Sequence, residues 1–120
     1  MILSDQDMED LAAYFAAQTL RPTGEANPAT LEIGQRIFRA GIASKGVPSC
    51  AGCHGPNGRG IPGSTFPQVG GQHAVYAAAQ LRAYKSGARA TDPNSMMRTI
   101  AGKLTDAEID AVASYLQGMR

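Results

Sequence analysis

Cys50-Ala51-Gly52-Cys53-His54 constrains this chain of 120 residues more than any other stretch. Two cysteines three positions apart can offer two sulfurs to one edge of a porphyrin, and the adjacent histidine can turn its imidazole under the ring. Cys-x-x-Cys-His is therefore the spacing that attaches a c-type haem and gives its iron an axial nitrogen. Other readings of the pair stay open on the residues alone. A zinc site wants four ligands, usually as two separated pairs, and the chain offers only Cys50, Cys53, His54 and His73. A thioredoxin-like redox pair wants a preceding strand in a βαβ pattern, and no strand pattern is convincing here. A structural disulfide needs nothing beyond the two thiols. Haem attachment uses every residue of the motif.

Composition points the same way. Glycine (14) and proline (7) are plentiful, aromatics make up 6%, and there is no tryptophan. A chain with so few large side chains has modest means of filling a core, and a large apolar cofactor would make up the deficit. The formal charge of +1 gives no electrostatic footprint for nucleic acid, and two haem propionates would move the loaded protein toward net negative. No apolar run reaches the length of a membrane span. Residues 1–20 carry Asp5, Asp7, Glu9 and Asp10, unlike a signal peptide. Because bacteria attach haem covalently on the far side of the membrane, a targeting signal is expected to have been removed or replaced.

The two ends of the chain resemble each other. Leu3 to Phe15 aligns with Leu104 to Leu116 at a constant offset of 101, from 104 − 3. Each segment opens on a capping residue, Ser4 or Thr105, followed three positions later by Asp7 or Glu108, the reciprocal pattern that closes a helix start. Each then places apolar residues at helical spacing: Met8, Leu11, Ala12 and Phe15, against Ile109, Val112, Ala113 and Leu116. Shared cap, acids and tyrosine favour duplication over chance. Pro22, Gly24 and Pro28 mark a linker at 21–29. Helices are predicted over Thr30 to about Ala40, with Ile33, Ile37 and Phe38 apolar, and over His73 to about Ser86, with Val75, Ala78, Ala79 and Leu81 apolar and Gly87 as the stop. Residues 41–49 and 55–71 are predicted loops, and 88–103 are predicted irregular up to the last capped helix.

A second axial ligand must come from a different segment that can bend over the haem. Met96 and Met97 qualify, 42 and 43 residues after His54. Met1, Met8 and Met119 lie in terminal segments and read as packing or exposed ends. His73 reads as a surface or capping histidine rather than a second imidazole ligand. The loop Gly55-Pro-Asn-Gly-Arg-Gly60 has no strand before it and no Gly-Lys-Ser/Thr after it, which argues against a phosphate cradle.

With these residues in place the chain resembles the class I cytochromes c, and among them the C-terminal haem domain of the dihaem cytochromes c4. The resemblance is carried by Cys50 to Gly58, Phe66 to His73, Met96-Met97-Arg98 and the Leu104-to-Arg120 segment. It implies an all-α class I cytochrome c fold around one covalently bound haem, with an extra N-terminal helix. Residues 30–120 would form the haem domain, and residues 1–20 would correspond to the last helix of a preceding haem domain. One motif means one haem. The resemblance favours Met97 over Met96, because the family ligand stands seven residues before the leucine that opens the last helix, here Leu104. It gives the Pro67 carbonyl the Nδ1 hydrogen of His54. It places Gly34, Phe38, Val112 and Tyr115 at the crossing of the first and last helices of the haem domain.

The function so implied is a one-electron carrier with His54 and Met97 as axial ligands, not an enzyme. Expected partners are redox proteins such as a quinol-oxidising complex and a terminal oxidase, in the periplasm or at its membrane surface. A peroxidase-like haem enzyme, a haem sensor or an electron-input domain of a larger oxidoreductase are the alternatives. The apolar stripe Met8, Leu11 and Phe15 should find a surface, either on the 30–120 domain or on another copy in a homodimer through residues 1–20.

Overall fold

The helix that organises the molecule is the last one, Asp106–Gln117, because it is apolar on most of its circumference. Ile109, Ala111, Val112, Ala113 and Leu116 are all buried along it. Its start is closed as its sequence requires: Glu108 N–H donates to Thr105 Oγ1 (3.2 Å), and Thr105 N–H donates to Glu108 Oε1 (2.8 Å). Lys45, from the turn before the cysteine motif, also reaches the Glu108 carboxylate. The Lys45 hydrogen bond, with that from the Thr105 amide, holds the Glu108 carboxyl below its ordinary value.

A computed structural model describes residues 2–120 of the chain, so Met1 lies outside the described residues. Six α-helices follow in order among them: α1 (Asp5–Ala16), α2 (Leu31–Ala40), α3 (Ala51–His54), α4 (Ala74–Ser86), α5 (Met96–Gly102) and α6 (Asp106–Gln117). The described residues form no strand, only an isolated bridge between Ile42 and Val47. The fold is the all-helical one expected. α2 and α4 both pack on α6, α3 leans on α2, and α5 leans on α4. The motif helix and the methionine helix are thus the outer members of an array centred on α6.

Small residues set the spacing of this array. At Gly34 in α2, an added Cβ would lie 2.3 Å from the Ala111 carbonyl oxygen and 2.8 Å from Tyr115 Cβ, so the backbones approach as only glycine permits. Phe38 and Tyr115 close the same crossing, their ring centroids 5.6 Å apart, a contact worth about 1 kcal/mol beyond area burial. On α4 the buried residues are Ala77 and Ala78, with Leu81 half-buried. The expected inward face was rotated: Val75 (85% exposed) and Ala79 point to solvent. At about 100° per residue, Ala77, Ala78 and Leu81 share one arc that excludes both. Ile33 likewise lies off the Gly34, Ile37 and Phe38 face and is exposed.

Two further expectations need correction. Residues 88–103 are not irregular throughout, because Met96–Gly102 forms α5. Seven residues are too few for a readable period, and this helix begins without a side-chain cap from its own N-cap, Ser95. Second, α1 does not fold back on the rest of the chain. It has the expected capping box, yet no residue of it is buried, and Met8, Leu11 and Phe15 are 50%, 45% and 66% exposed. The stretch after it is pinned to α6 and to the loop before α4. Thr23 Oγ1 donates to Gly71 O (2.7 Å), Asn27 N–H to Ser114 Oγ (2.8 Å), and Gln117 Nε2 to Glu25 O (3.2 Å). No helix among the described residues is long and apolar enough to cross a membrane.

Candidate haem site

Cys50, Cys53 and His54 occupy one helical turn. The Cys50 carbonyl accepts from both Cys53 N–H (3.2 Å) and His54 N–H (2.8 Å), and Ser49 Oγ accepts from Gly52 N–H (3.2 Å). Both thiols are free. Cys50 packs at the edge of the hydrophobic core, and this burial pushes its thiol up to about 11. A redox-active Cys-x-x-Cys pair needs the opposite shift, toward thiolate. No cluster of three or more His, Cys, Asp or Glu side chains among the described residues is placed to hold a metal ion, which removes the geometry a zinc site needs.

His54 closes the turn with its Nδ1 2.7 Å from the Pro67 carbonyl oxygen. A carbonyl can only accept, so Nδ1 carries the hydrogen and Nε2 is left as the nitrogen with a free lone pair. The loop between them is built for this return. Gly58 O accepts from Val69 N–H (2.8 Å) and Gly70 N–H (2.9 Å), and Gly60 N–H donates to His54 O (2.7 Å). Gly58 itself has φ +67°, and a Cβ there would meet Gly70 N at 2.8 Å and Met119 Sδ at 2.7 Å. The loop therefore folds tightly around a residue that must be glycine, and carries Pro67 back under His54.

Cys50 and Ala51 of this turn, with Val69, Leu81 and Ile100 from other segments, pack against the buried cluster but are themselves only partly covered. Two thiols and one lone-pair imidazole nitrogen within one helical turn suit a haem held through two cysteine thioethers and a histidine. The two methionine side chains stand on a separate element: Met97 is the second residue of α5, half-buried, and Met96 beside it is 37% exposed. His73 is exposed at the N-terminus of α4 and its side chain makes no cap bond.

Sequence reasoning gave no role to Asp92 or Arg98. Asp92 is the buried charged residue among those described. Its Oδ2 accepts from Arg98 N–H (3.0 Å), its Oδ1 from Arg98 Nε (2.9 Å), and its carbonyl from Arg98 Nη2 (3.4 Å). Loss of water works to raise its pKa, but the Arg98 amide and guanidinium outweigh that and hold the carboxyl below its ordinary value. The sequence signal was present in Asp92-Pro93, a turn-opening pair, six residues before an arginine.

The Cytochrome c family model matches residues 31–120. This chain belongs to the cytochrome c family. The cofactor of this cytochrome c is covalent haem c, and Cys50 and Cys53 are the two cysteines the chain has for it. It is 48% identical to cytochrome c4 of Stutzerimonas stutzeri over 118 residues, covering 98% of this chain and 56% of that protein. It is 40% identical over 118 residues to the thiosulfate dehydrogenase electron acceptor of Thiomonas intermedia, covering 95% of this chain and 53% of that one. Its structure superposes on reduced recombinant cytochrome c4 from Pseudomonas stutzeri with a TM-score of 0.93 at 46% identity, over 98% of this chain and 62% of the other. This cytochrome c thus spans about half the length of the relatives it matches.

Proposed function

We propose that this chain is a one-electron carrier in which Cys50 and Cys53 hold the haem, and His54 and Met97 are its axial ligands. The observation that carries the reading is the 2.7 Å contact from His54 Nδ1 to the Pro67 carbonyl, which fixes the ring and leaves Nε2 for a metal. The haem, when bound, supplies a one-electron couple between Fe(II) and Fe(III). Everything else is the work of the chain. The Pro67 carbonyl fixes the orientation of His54, and the Met97 thioether, a weaker donor than imidazole, would favour the reduced state and raise the potential. The family resemblance, in which the ligand stands seven residues before the leucine that opens the last helix, here Leu104, supports Met97 as the ligand. With His54 and Met97 both holding the iron, a substrate would have no site on the metal, and the chain would serve as a carrier rather than an enzyme.

The similarity to cytochromes c4 and to a thiosulfate dehydrogenase electron acceptor supports redox proteins as partners, such as a quinol-oxidising complex and a terminal oxidase, in the periplasm or at its membrane surface. A pyridine-haem assay should give one haem c per chain. Reductive titration should take up one electron, and the ferric spectrum should show the red-edge band of sulfur-to-iron ligation. Binding of peroxide to the oxidised protein without that band would favour the enzyme reading.

Residues 1–20 are read as the last helix of a preceding haem domain, followed by a linker at 21–29 and the haem domain at 30–120. Because α1 keeps its apolar stripe exposed, we assign its cover to a second copy of the chain. Deleting residues 1–20 should turn a dimer into a monomer in sedimentation while leaving the haem spectrum unchanged. A full-length chain that sediments as a monomer at all concentrations removes this interface.

A further inference from the structure

The turn that presents Met97 is closed in an unusual way. Asn94 and Ser95 both lie in the left-handed region, at φ 55° and 56°, and they are the non-glycine residues with positive φ among those described. Serine gains little there, so something outside the turn must hold it. The N-cap residue Ser95 offers no side-chain acceptor to the start of α5. That task falls to Asp92, whose side chain is 4% exposed and whose carboxylate spans the turn to reach both the amide and the guanidinium of Arg98. Residues 93–97, the turn and the first two residues of α5, therefore have their two ends tied by three hydrogen bonds donated by Arg98 to Asp92. Met97 is joined directly to one of the tied atoms, the Arg98 amide nitrogen. α5 beyond it rests on α4 and buries Ala101 completely, so the far side of the turn has a firm base.

We propose that Asp92 and Arg98 are positioning residues, a clamp that keeps the Met97 thioether at the haem and so sets how readily that ligand is displaced. The inference rests on Met97 as the axial ligand. It adds that the lability of the ligand is decided by a carboxylate five residues away. The Asp92 carboxylate takes one bond from the Arg98 guanidinium and one from the Arg98 amide, and such charge-assisted bonds to a carboxylate 4% exposed are shorter and stronger than neutral ones.

Imidazole binding to the oxidised holoprotein tests the clamp, because entry of an external ligand must wait for the thioether to leave. Asp92→Ala, with haem still attached, should bind imidazole at least tenfold faster than the parent and show a weakened red-edge sulfur band. Arg98→Gln keeps the carboxylate on the amide and should show a smaller increase. Arg98→Gln also carries the test if Asp92→Ala does not fold. Arg82→Ala, which breaks the pairs from α4 to Asp106 and Asp110 on α6, is the control for simple loss of stability. It should lower the melting temperature without changing the imidazole rate. Parent-like rates and band in the folded clamp variants, or an equal acceleration in Arg82→Ala, overturn the clamp while leaving the ligand reading intact. A parent protein without the sulfur band, or a Met97→Ala variant that retains it, overturns the ligand reading and the clamp together.

Discussion

Replacing Cys50 or Cys53 by alanine is expected to weaken or abolish haem attachment, and the chain without its haem should be largely unfolded. The reason lies in the size of the residues that make the core. Five of the twelve buried apolar side chains among the described residues are alanines, and Phe38 and Ile109 are the largest that are fully buried. Such a core is thin, and Val69, Leu81 and Ile100 at its edge have no protein to cover them completely. At ~25 cal/mol per Å², each roughly 300 Å² of apolar surface returned to water costs about 7.5 kcal/mol. That is comparable with the whole stability of a small domain, about 5–15 kcal/mol. Circular dichroism of the variant should show reduced helix and no cooperative melt. An apo form melting like the holoprotein would show that the helices carry the fold without the cofactor.

Met97→His should keep the haem attached and lower the reduction potential by on the order of a hundred millivolts or more, within the ~0.8 V range over which axial ligands tune haem proteins. A second imidazole is a better donor than a thioether and supports the oxidised state. The red-edge sulfur band should vanish with it. Met96→His, one residue away and facing solvent more openly, should leave both potential and band close to those of the parent. Potentiometric titration of the two variants decides between the methionines. Loss of the band in Met96→His with its retention in Met97→His would reverse the assignment.

These expectations draw on the sequence and the structure unequally. The turn that carries Cys50, Cys53 and His54 was legible because it is local: two sulfurs and an imidazole share one turn, and five residues of sequence specify it. The helix at Asp106 was legible for a similar reason, since Thr105 and Glu108 close it through bonds three residues apart. The α2–α6 crossing was readable from the family resemblance carried by Gly34, Phe38, Val112 and Tyr115, in which a residue without a side chain leaves room for a backbone.

What depended on distant partners was not readable. The inward face of α4 is chosen by how closely its alanines approach α6, so Val75 turned outward despite its apolar side chain. α5 escaped notice because its start is supported from Asp92, outside the helix, and not by a capping residue at its own first turn. α1 shows the reverse case. Its period and capping box are as good as those of α6, and both helices form, yet one is buried and the other bare. A repeating pattern is enough to form a helix with an apolar stripe. Burial of that stripe requires a second surface, and local hydrogen bonding supplies none.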